Sequence, residues 1–206
     1  MKNSILLAFI FVFFSCSSQD MESLSIGDKA PLAELSMQEI SGKKLTLEDV
    51  SEEKGLLVIF SCNTCPFVVG NGTKSEGWEG RYNELFTMSE EQGIGMVLVN
   101  SNEAKRNQGD NLEDMKAHAS AQHYRSKYVL DKDHVLADAF GAMRTPHVYL
   151  FNSDMELVYT GAIDDNVNKA REVKEPYLLE ALEALGDDLP IKRVETPAMG
   201  CSIKRK

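Results

Sequence analysis

Positive charge is scarce in this sequence, which has 22 lysine and arginine residues against 32 aspartate and glutamate residues. The formal net charge is −10, whereas nucleic-acid binding rests on a basic face. We therefore expect no nucleic-acid partner and no electrostatic binding to anionic lipids. Hydrophobic residues make up 43% of the chain and charged residues 26%, which is typical of one globular domain with appendages.

Long hydrophobic runs are also absent, apart from ILLAFIFVFF, which is too short to cross a bilayer and fits the core of a signal peptide. Cys16 follows soon after this run, and the junction resembles a bacterial lipoprotein signal, with Phe13 where an aliphatic residue is usual. We predict a signal peptide over 1–15, lipidation at Cys16 and a linker over 16–25. The protein would then face the periplasm of a bacterium, held to a membrane by lipid alone. An ordinary secretory signal cut nearby is the alternative.

Cysteine is rare too, and the four cysteines are Cys16, Cys62, Cys65 and Cys201. Only Cys62 and Cys65 are close together, in the stretch FSCNTCPF. A disulfide between them would close a loop too small to stabilise the fold much through chain entropy. The pair is therefore more consistent with chemistry than with a structural disulfide.

The alternation of short apolar runs with amphipathic segments predicts an α/β fold with a central mixed β-sheet flanked by helices. A turn at Ser41-Gly42 predicts an N-terminal β-hairpin extension. Further strands are predicted at 56–60, 95–100, 126–131, 147–152 and 156–161. Helices are predicted within 65–92, over 111–122 with Asp110 as the cap, over 134–140 and over 171–185. The cysteine pair then follows a buried strand at its carboxyl end, where sites collect in open α/β sheets.

Five short motifs carry a resemblance to a known family: CNTCPFV at 62–68, VNSN at 99–102, TPHVYLF at 145–151, GAIDDN at 161–166 and GCSIK at 200–204. With the order of elements, they resemble the thioredoxin superfamily, and most closely its peroxiredoxin-like branch, the alkyl-hydroperoxide-reductase/thiol-specific-antioxidant group. The resemblance implies a thioredoxin-like (redoxin) domain over 26–186, followed by a tail over 187–206 that has no secondary-structure pattern. It also implies that Pro146 is cis and faces the cysteine pair.

The cysteine pair predicts a thiol mechanism, because a thiolate rather than a thiol attacks disulfides and peroxides. We predict that Cys62 stands at the start of a helix, where the helix dipole lowers its pKa, and that Cys62 attacks. Cys65 is close enough to form a disulfide and would resolve the intermediate. Pro66 fits the first helical turn. This chemistry needs no cofactor and no metal.

Three positions depart from the patterns of the relatives. Thioredoxins carry a buried aspartate where this chain has Leu56, so no buried base for Cys65 is evident. Peroxiredoxins place Thr or Ser three residues before the reactive cysteine, where this chain has Ile59 before Cys62, or Cys62 itself before Cys65. These differences weigh against a peroxidase. Arg144 favours one, because a cation beside the Thr-Pro dipeptide could polarise a peroxide.

Three functions follow as hypotheses. The favoured one is an exported thiol–disulfide oxidoreductase that acts on protein thiols or disulfides, with an electron-donor or acceptor protein as partner. The second is a thiol-dependent peroxidase that acts on hydroperoxides. The third is a non-catalytic protein- or metal-binding module, in which Cys62, Cys65 and His147 would be soft metal ligands. The predicted catalytic residues are Cys62, Cys65 and Pro146, with Thr145, Arg144 and Cys201 as auxiliary residues. Cys201 is either a third redox thiol that reaches the pair or a spare cysteine.

Overall fold

The structure is a computed structural model that describes residues 23–206, so Cys16 and the predicted signal peptide lie outside the described residues. The strands are β1 (Met37–Glu39), β2 (Lys44–Leu45), β3 (Gly55–Ser61), β4 (Ile94–Asn100), β5 (Lys127–Leu130), β6 (Arg144–Thr145), β7 (His147–Asn152), β8 (Leu157–Gly161) and β9 (Cys201–Ser202). The α-helices are α1 (Pro66–Val69), α2 (Tyr82–Glu91), α3 (Leu112–Ala121), α4 (Val135–Ala139) and α5 (Tyr177–Gly186). Within this range, no helix combines the length and the apolar character that crossing a bilayer requires.

Seven strands form one mixed sheet in the order β2-β1-β5-β4-β3-β7-β8. The central pairs β3–β4 and β4–β5 are parallel, and the outer pairs are antiparallel. The β1–β2 hairpin turns around Ser41-Gly42 and pairs with β5, so the predicted N-terminal hairpin is confirmed. β6 and β9 form a separate two-stranded antiparallel ribbon.

All seven residues of β3 are buried, which explains why its segment LLVIF is an unbroken apolar run. Its alternate side chains belong to two different cores. Leu57 and Ile59 pack in the cluster formed by α2, α3 and α5. Leu56 and Val58 pack on the opposite face, with residues of α4. The strand is therefore held from both sides, and its carboxyl end is a fixed platform for the residues that follow.

Two helix boundaries differ from the sequence prediction. Asn111, not Asp110, caps α3, because the Asn111 side chain accepts a hydrogen bond from the Asp114 backbone N–H at 2.9 Å. The last helix begins at Tyr177 rather than at residue 171. Pro176 accounts for this difference, since the residue before a proline is disfavoured in the helical region.

The tail was expected to lack secondary structure, and this prediction was wrong. Thr196 donates its backbone N–H to the Thr160 carbonyl at 3.0 Å, so the tail first runs along the edge of β8. It then forms β9 against β6. Ile203 is buried in the core, and the Lys204 backbone N–H donates to the Asn102 side chain at 2.9 Å. The tail is thus fixed on both sides of Cys201.

Candidate active site

The cysteine pair lies directly after β3, but the helix that follows begins later than predicted. Cys65, not Cys62, is the residue that precedes the first turn of α1, and its carbonyl accepts the backbone N–H groups of Val68 and Val69 at 2.8 and 2.9 Å. Pro66 sets this start, because its fixed φ suits the first helical position. The expected placement of Cys62 at the helix start was therefore wrong. Cys62 lies in the loop before the helix.

Both thiols of the pair face the Thr145-Pro146 dipeptide, whose peptide bond is cis. The Cys62 Sγ is 3.4 Å from the Thr145 hydroxyl oxygen, and the Cys65 Sγ is 3.1 Å from the Thr145 carbonyl oxygen. Both cysteines are free thiols. Only 3% of Cys65 and none of Cys62 is exposed to solvent. The sequence prediction that this dipeptide meets the pair is matched by the geometry.

The two thiols differ in acidity in the direction opposite to the sequence prediction. The pKa of Cys65 is lowered to about 5, first by the hydrogen bond from Cys62 and then by contacts with Cys201 and Thr145. The pKa of Cys62 is raised well above its ordinary value by the same hydrogen bond to Cys65, by burial and by the negative charge of Asp110. Cys65 is therefore the more acidic thiol of the pair and the one that favours the thiolate form.

Cys201 completes a cluster of three thiols. β9 places Cys201 directly opposite Thr145 in the ribbon. Cys201 packs against the buried cluster that contains Cys62 and Cys65, and its proximity contributes to the lowered pKa of Cys65. The sequence left two hypotheses for Cys201: a third redox thiol that reaches the pair, or a spare cysteine. The geometry matches the first.

The loop between the two cysteines is held by a buried carboxylate that the sequence analysis had assigned to a helix cap. One Asp110 oxygen accepts the Asn63 backbone N–H and the Asn100 side-chain amide, both at 2.8 Å. The other accepts the Thr64 hydroxyl at 2.8 Å and the Asn102 side-chain amide at 3.1 Å. Asp110 is fully buried. The carboxylate thus fixes both residues that separate the cysteines.

A signal for Asp110 was present in the sequence. The VNSN motif ends β4, and Ser61 of β3 pairs with Asn100 of β4 in parallel register, so polar residues after both strands meet at one edge of the sheet. Leu56, the position at which an acid was sought, is buried in the apolar core. The buried acid near the pair therefore comes from the segment after β4 and not from β3.

Arg144 and His147 do not contact the thiols of the pair. The Arg144 side chain is exposed and donates to the Gly200 carbonyl at 3.2 Å. The two ring nitrogens of His147 face the Tyr149 hydroxyl at 3.2 Å and the Thr160 hydroxyl at 3.5 Å. Among residues 23–206, no group of three His, Cys, Asp or Glu side chains has a geometry that could hold a metal ion. The proposed ligand set with His147 is therefore not assembled.

Comparison with known proteins assigns the family. The AhpC/TSA family profile matches residues 26–160, which is more than half of the chain. The chain belongs to the AhpC/TSA family. No curated protein matches it. A crystal structure of an uncharacterized conserved protein from Geobacillus kaustophilus is 31% identical, with a TM-score of 0.79 over 88% of this chain and 93% of that one.

More distant structures share the fold of this AhpC/TSA protein. A hypothetical protein from Sinorhizobium meliloti is 28% identical, with a TM-score of 0.78 over 90% of this chain and 97% of that one. Peroxidoxin BcpB from Mycobacterium tuberculosis is 12% identical, with a TM-score of 0.56 over 77% of this chain and 96% of that one. The predicted thioredoxin-like fold is thereby confirmed. The AhpC/TSA family comprises thiol-based redox enzymes, whose substrates are thiols, disulfides or peroxides.

Proposed function

We propose that the protein is a thiol–disulfide oxidoreductase whose redox pair is Cys62 and Cys65. The observation that carries this proposal is a pair of buried free thiols held against the cis Thr145-Pro146 peptide, of which Cys65 has a lowered pKa and Cys62 a raised pKa. A thiolate next to a protonated thiol is the arrangement that disulfide exchange requires, since one sulfur attacks and the other closes the disulfide.

The geometry supports Cys65 as the attacking sulfur. In the reduced protein, the Cys65 thiolate attacks one sulfur of a substrate disulfide, the substrate S–S bond breaks, and its second sulfur leaves as a thiolate that takes up a proton. Cys62 then gives up its proton and attacks the Cys65 Sγ. The Cys62–Cys65 bond forms, and the remaining substrate sulfur leaves with that proton. The substrate gains two electrons, and the cysteine pair loses them; the same steps in reverse oxidise a dithiol.

The test is reduction of insulin by the purified protein with dithiothreitol as electron donor. We expect Cys62→Ser and Cys65→Ser each to lower the rate by about 100-fold or more, because either change prevents formation of the internal disulfide. Cys16→Ser is the matched control, since it also removes one thiol but lies far from the pair in sequence, and it should leave the rate unchanged. Wild-type rates in both pair variants would contradict the proposal.

A peroxidase is the second candidate, because the near-complete burial of both sulfurs favours a small substrate. In that reaction the Cys65 thiolate attacks a peroxide oxygen, the O–O bond breaks, and the other oxygen leaves as an alkoxide or hydroxide that takes up a proton from solvent. The sulfenic acid on Cys65 then condenses with the Cys62 thiol to a disulfide and water. Two observations weigh against a peroxidase. Ile59 stands where peroxiredoxins have Thr or Ser, and the Arg144 side chain donates a hydrogen bond to the Gly200 carbonyl of the tail. Hydroperoxide consumption measured on the same variants separates the two: dependence on Cys65 without insulin reduction would favour the peroxidase.

We also propose that the protein is exported to a bacterial cell envelope and anchored through a lipid on Cys16. The support is the sequence junction around Cys16, since this residue lies outside the described part of the chain. We expect Cys16→Ala to move the protein from the membrane fraction to the soluble fraction in its native host, because acyl chains would be its sole anchor. Fractionation that does not change would rule out lipidation at this residue.

A further inference from the structure

Cys201 is brought to the redox pair by two features of the tail. In the β6–β9 ribbon, Cys201 pairs with Thr145, the residue that both sulfurs of the pair contact. Gly200 makes this pairing possible, because a Cβ at that position would collide with the Thr145 carbonyl oxygen. The close approach of the two backbones therefore depends on a residue without a side chain.

Cys201 lies at the side of Thr145 that Cys65 contacts. It pairs with Thr145 in the ribbon, the Thr145 carbonyl oxygen is 3.1 Å from the Cys65 Sγ, and the proximity of Cys201 contributes to the lowered pKa of Cys65. The pKa of Cys201 is raised to about 11 by burial and by the neighbouring Cys65. Cys65 thus has a potential disulfide partner on each side: Cys62 inside the protein and Cys201 on the tail.

Solvent access differs among the three thiols, and a partner protein must reach a sulfur in order to exchange a disulfide with it. Cys62 is inaccessible and Cys65 is 3% exposed, so a partner protein reaches either sulfur less readily than it reaches Cys201. Cys201 is half-buried and has an accessible surface. The side chains of Met143 and Met199 are exposed close to the ribbon in sequence, at 47% and 52%. Exposed methionines of this kind suit contact with a protein surface rather than with a peroxide.

We propose that Cys201 is the exchange thiol of this protein, which carries the disulfide between the buried Cys62–Cys65 pair and a partner protein that has a dithiol. This inference rests on the proposed redox function of the pair. Starting from the oxidised pair, the Cys201 thiolate attacks the Cys65 Sγ. The Cys65–Cys201 bond forms, the Cys62–Cys65 bond breaks, and Cys62 takes up the proton that Cys201 released. The number of electrons in the protein does not change in this step.

The partner then attacks the accessible sulfur. A partner thiolate bonds to the Cys201 Sγ, the Cys65–Cys201 bond breaks, and Cys65 leaves as a thiolate. The second partner thiol displaces Cys201 from the mixed disulfide, and Cys201 takes up a proton. Two electrons have passed from the partner dithiol to the protein, and the partner is left with a disulfide.

The first experiment looks for the Cys65–Cys201 disulfide in the full chain carrying Cys62→Ser. Trypsin separates the two cysteines, since cleavage after Lys54, Lys74, Arg193 and Lys204 gives peptides 55–74 and 194–204. After oxidation with diamide, we expect mass spectrometry to find these peptides joined. The bond should form about tenfold faster in the folded variant than in the same variant in guanidinium, because the fold holds the two sulfurs together. Adding Gly200→Ala should remove most of this advantage. Equal rates in the folded and unfolded variant would overturn the proposal.

The second experiment measures exchange in the oxidised protein with an intact pair. We expect Cys201→Ser to slow reduction by reduced bacterial thioredoxin about tenfold or more, whereas reduction by dithiothreitol changes much less because a small dithiol needs less access. Ser202→Ala, which alters the neighbouring exposed side chain and keeps all thiols, should behave like the wild type. If Cys201→Ser behaves like Ser202→Ala while Cys62→Ser and Cys65→Ser abolish insulin reduction, this inference fails and the proposed function stands. If the pair variants stay active, the proposed function fails.

Discussion

Asp110→Ala should lower the free energy of unfolding by about 3–5 kcal/mol, since it removes a buried carboxylate and a hydrogen bond to a charged group contributes about 1.5–3 kcal/mol. The physical reason is that the Asp110 carboxylate accepts four hydrogen bonds, from Asn63, Thr64, Asn100 and Asn102. Alanine would remove this acceptor from the buried amides of Asn100 and Asn102, and an unsatisfied buried group costs about 1–3 kcal/mol.

Thermal unfolding monitored by circular dichroism measures this loss of stability. For a chain of this size, the expected loss corresponds to a melting temperature lower by roughly 6–20 °C. Glu113→Ala is the matched control, since it removes a nearby acidic side chain that is exposed in the first turn of α3. The control should cost about 1 kcal/mol or less. Equal melting temperatures for the two variants would show that the buried carboxylate does not hold the loop.

Cys62→Ala should raise the pKa of Cys65 from about 5 toward the ordinary value of a free thiol, because the hydrogen bond from Cys62 is the largest cause of the lowered pKa. With the low pKa, Cys65 is almost entirely thiolate at neutral pH and becomes protonated only as the pH falls through about 5. With a pKa of about 8.5, the thiolate fraction at pH 7 would be roughly 3%, a decrease of about 30-fold.

Alkylation by iodoacetamide measures this change, because the reagent reacts with the thiolate. In the wild type, labelling of Cys65 should stay level from neutral pH down to about pH 6 and fall below that. In Cys62→Ala, the fall should begin at much higher pH. Cys62→Ser is the control, since its hydroxyl can still donate to the Cys65 sulfur and should preserve part of the low pKa. Identical pH profiles in the wild type and Cys62→Ala would exclude Cys62 as the donor.

The sheet could be predicted from the sequence because its central strands are buried on both faces. The runs LLVIF and GMVLVN are unbroken apolar segments, and both became central strands of the sheet. For these strands a local pattern was enough, because each strand is specified by its own residues. The meeting between the cysteine pair and Thr145-Pro146 was implied by the family resemblance, and the structure brings them together.

The groups that set the chemistry of the pair could not be predicted in this way. β9 contains two residues, and so short a strand has no periodicity that sequence reasoning could detect. Asp110 was predicted to be a helix cap because it stands before a helix. Instead, its side-chain oxygen accepts hydrogen bonds from Asn63, which follows β3, and from Asn100, which ends β4. The lowered pKa of Cys65 likewise depends in part on Thr145 and Cys201, which are distant in sequence. Local propensity contains no information about such pairings.

Cys65 and Thr145 are 80 residues apart along the chain, and Cys201 reaches them from the tail. An unfolded chain brings three such distant segments together only rarely, because closing each loop costs conformational entropy. The thiol of Cys65 in unfolded molecules therefore has an ordinary pKa of about 8.5. An acidic thiol exists only in molecules that have completed their tertiary structure. The speed with which Cys65 is labelled in mildly acidic buffer thus reports the natively folded fraction of a preparation, without a reporter group introduced into the chain.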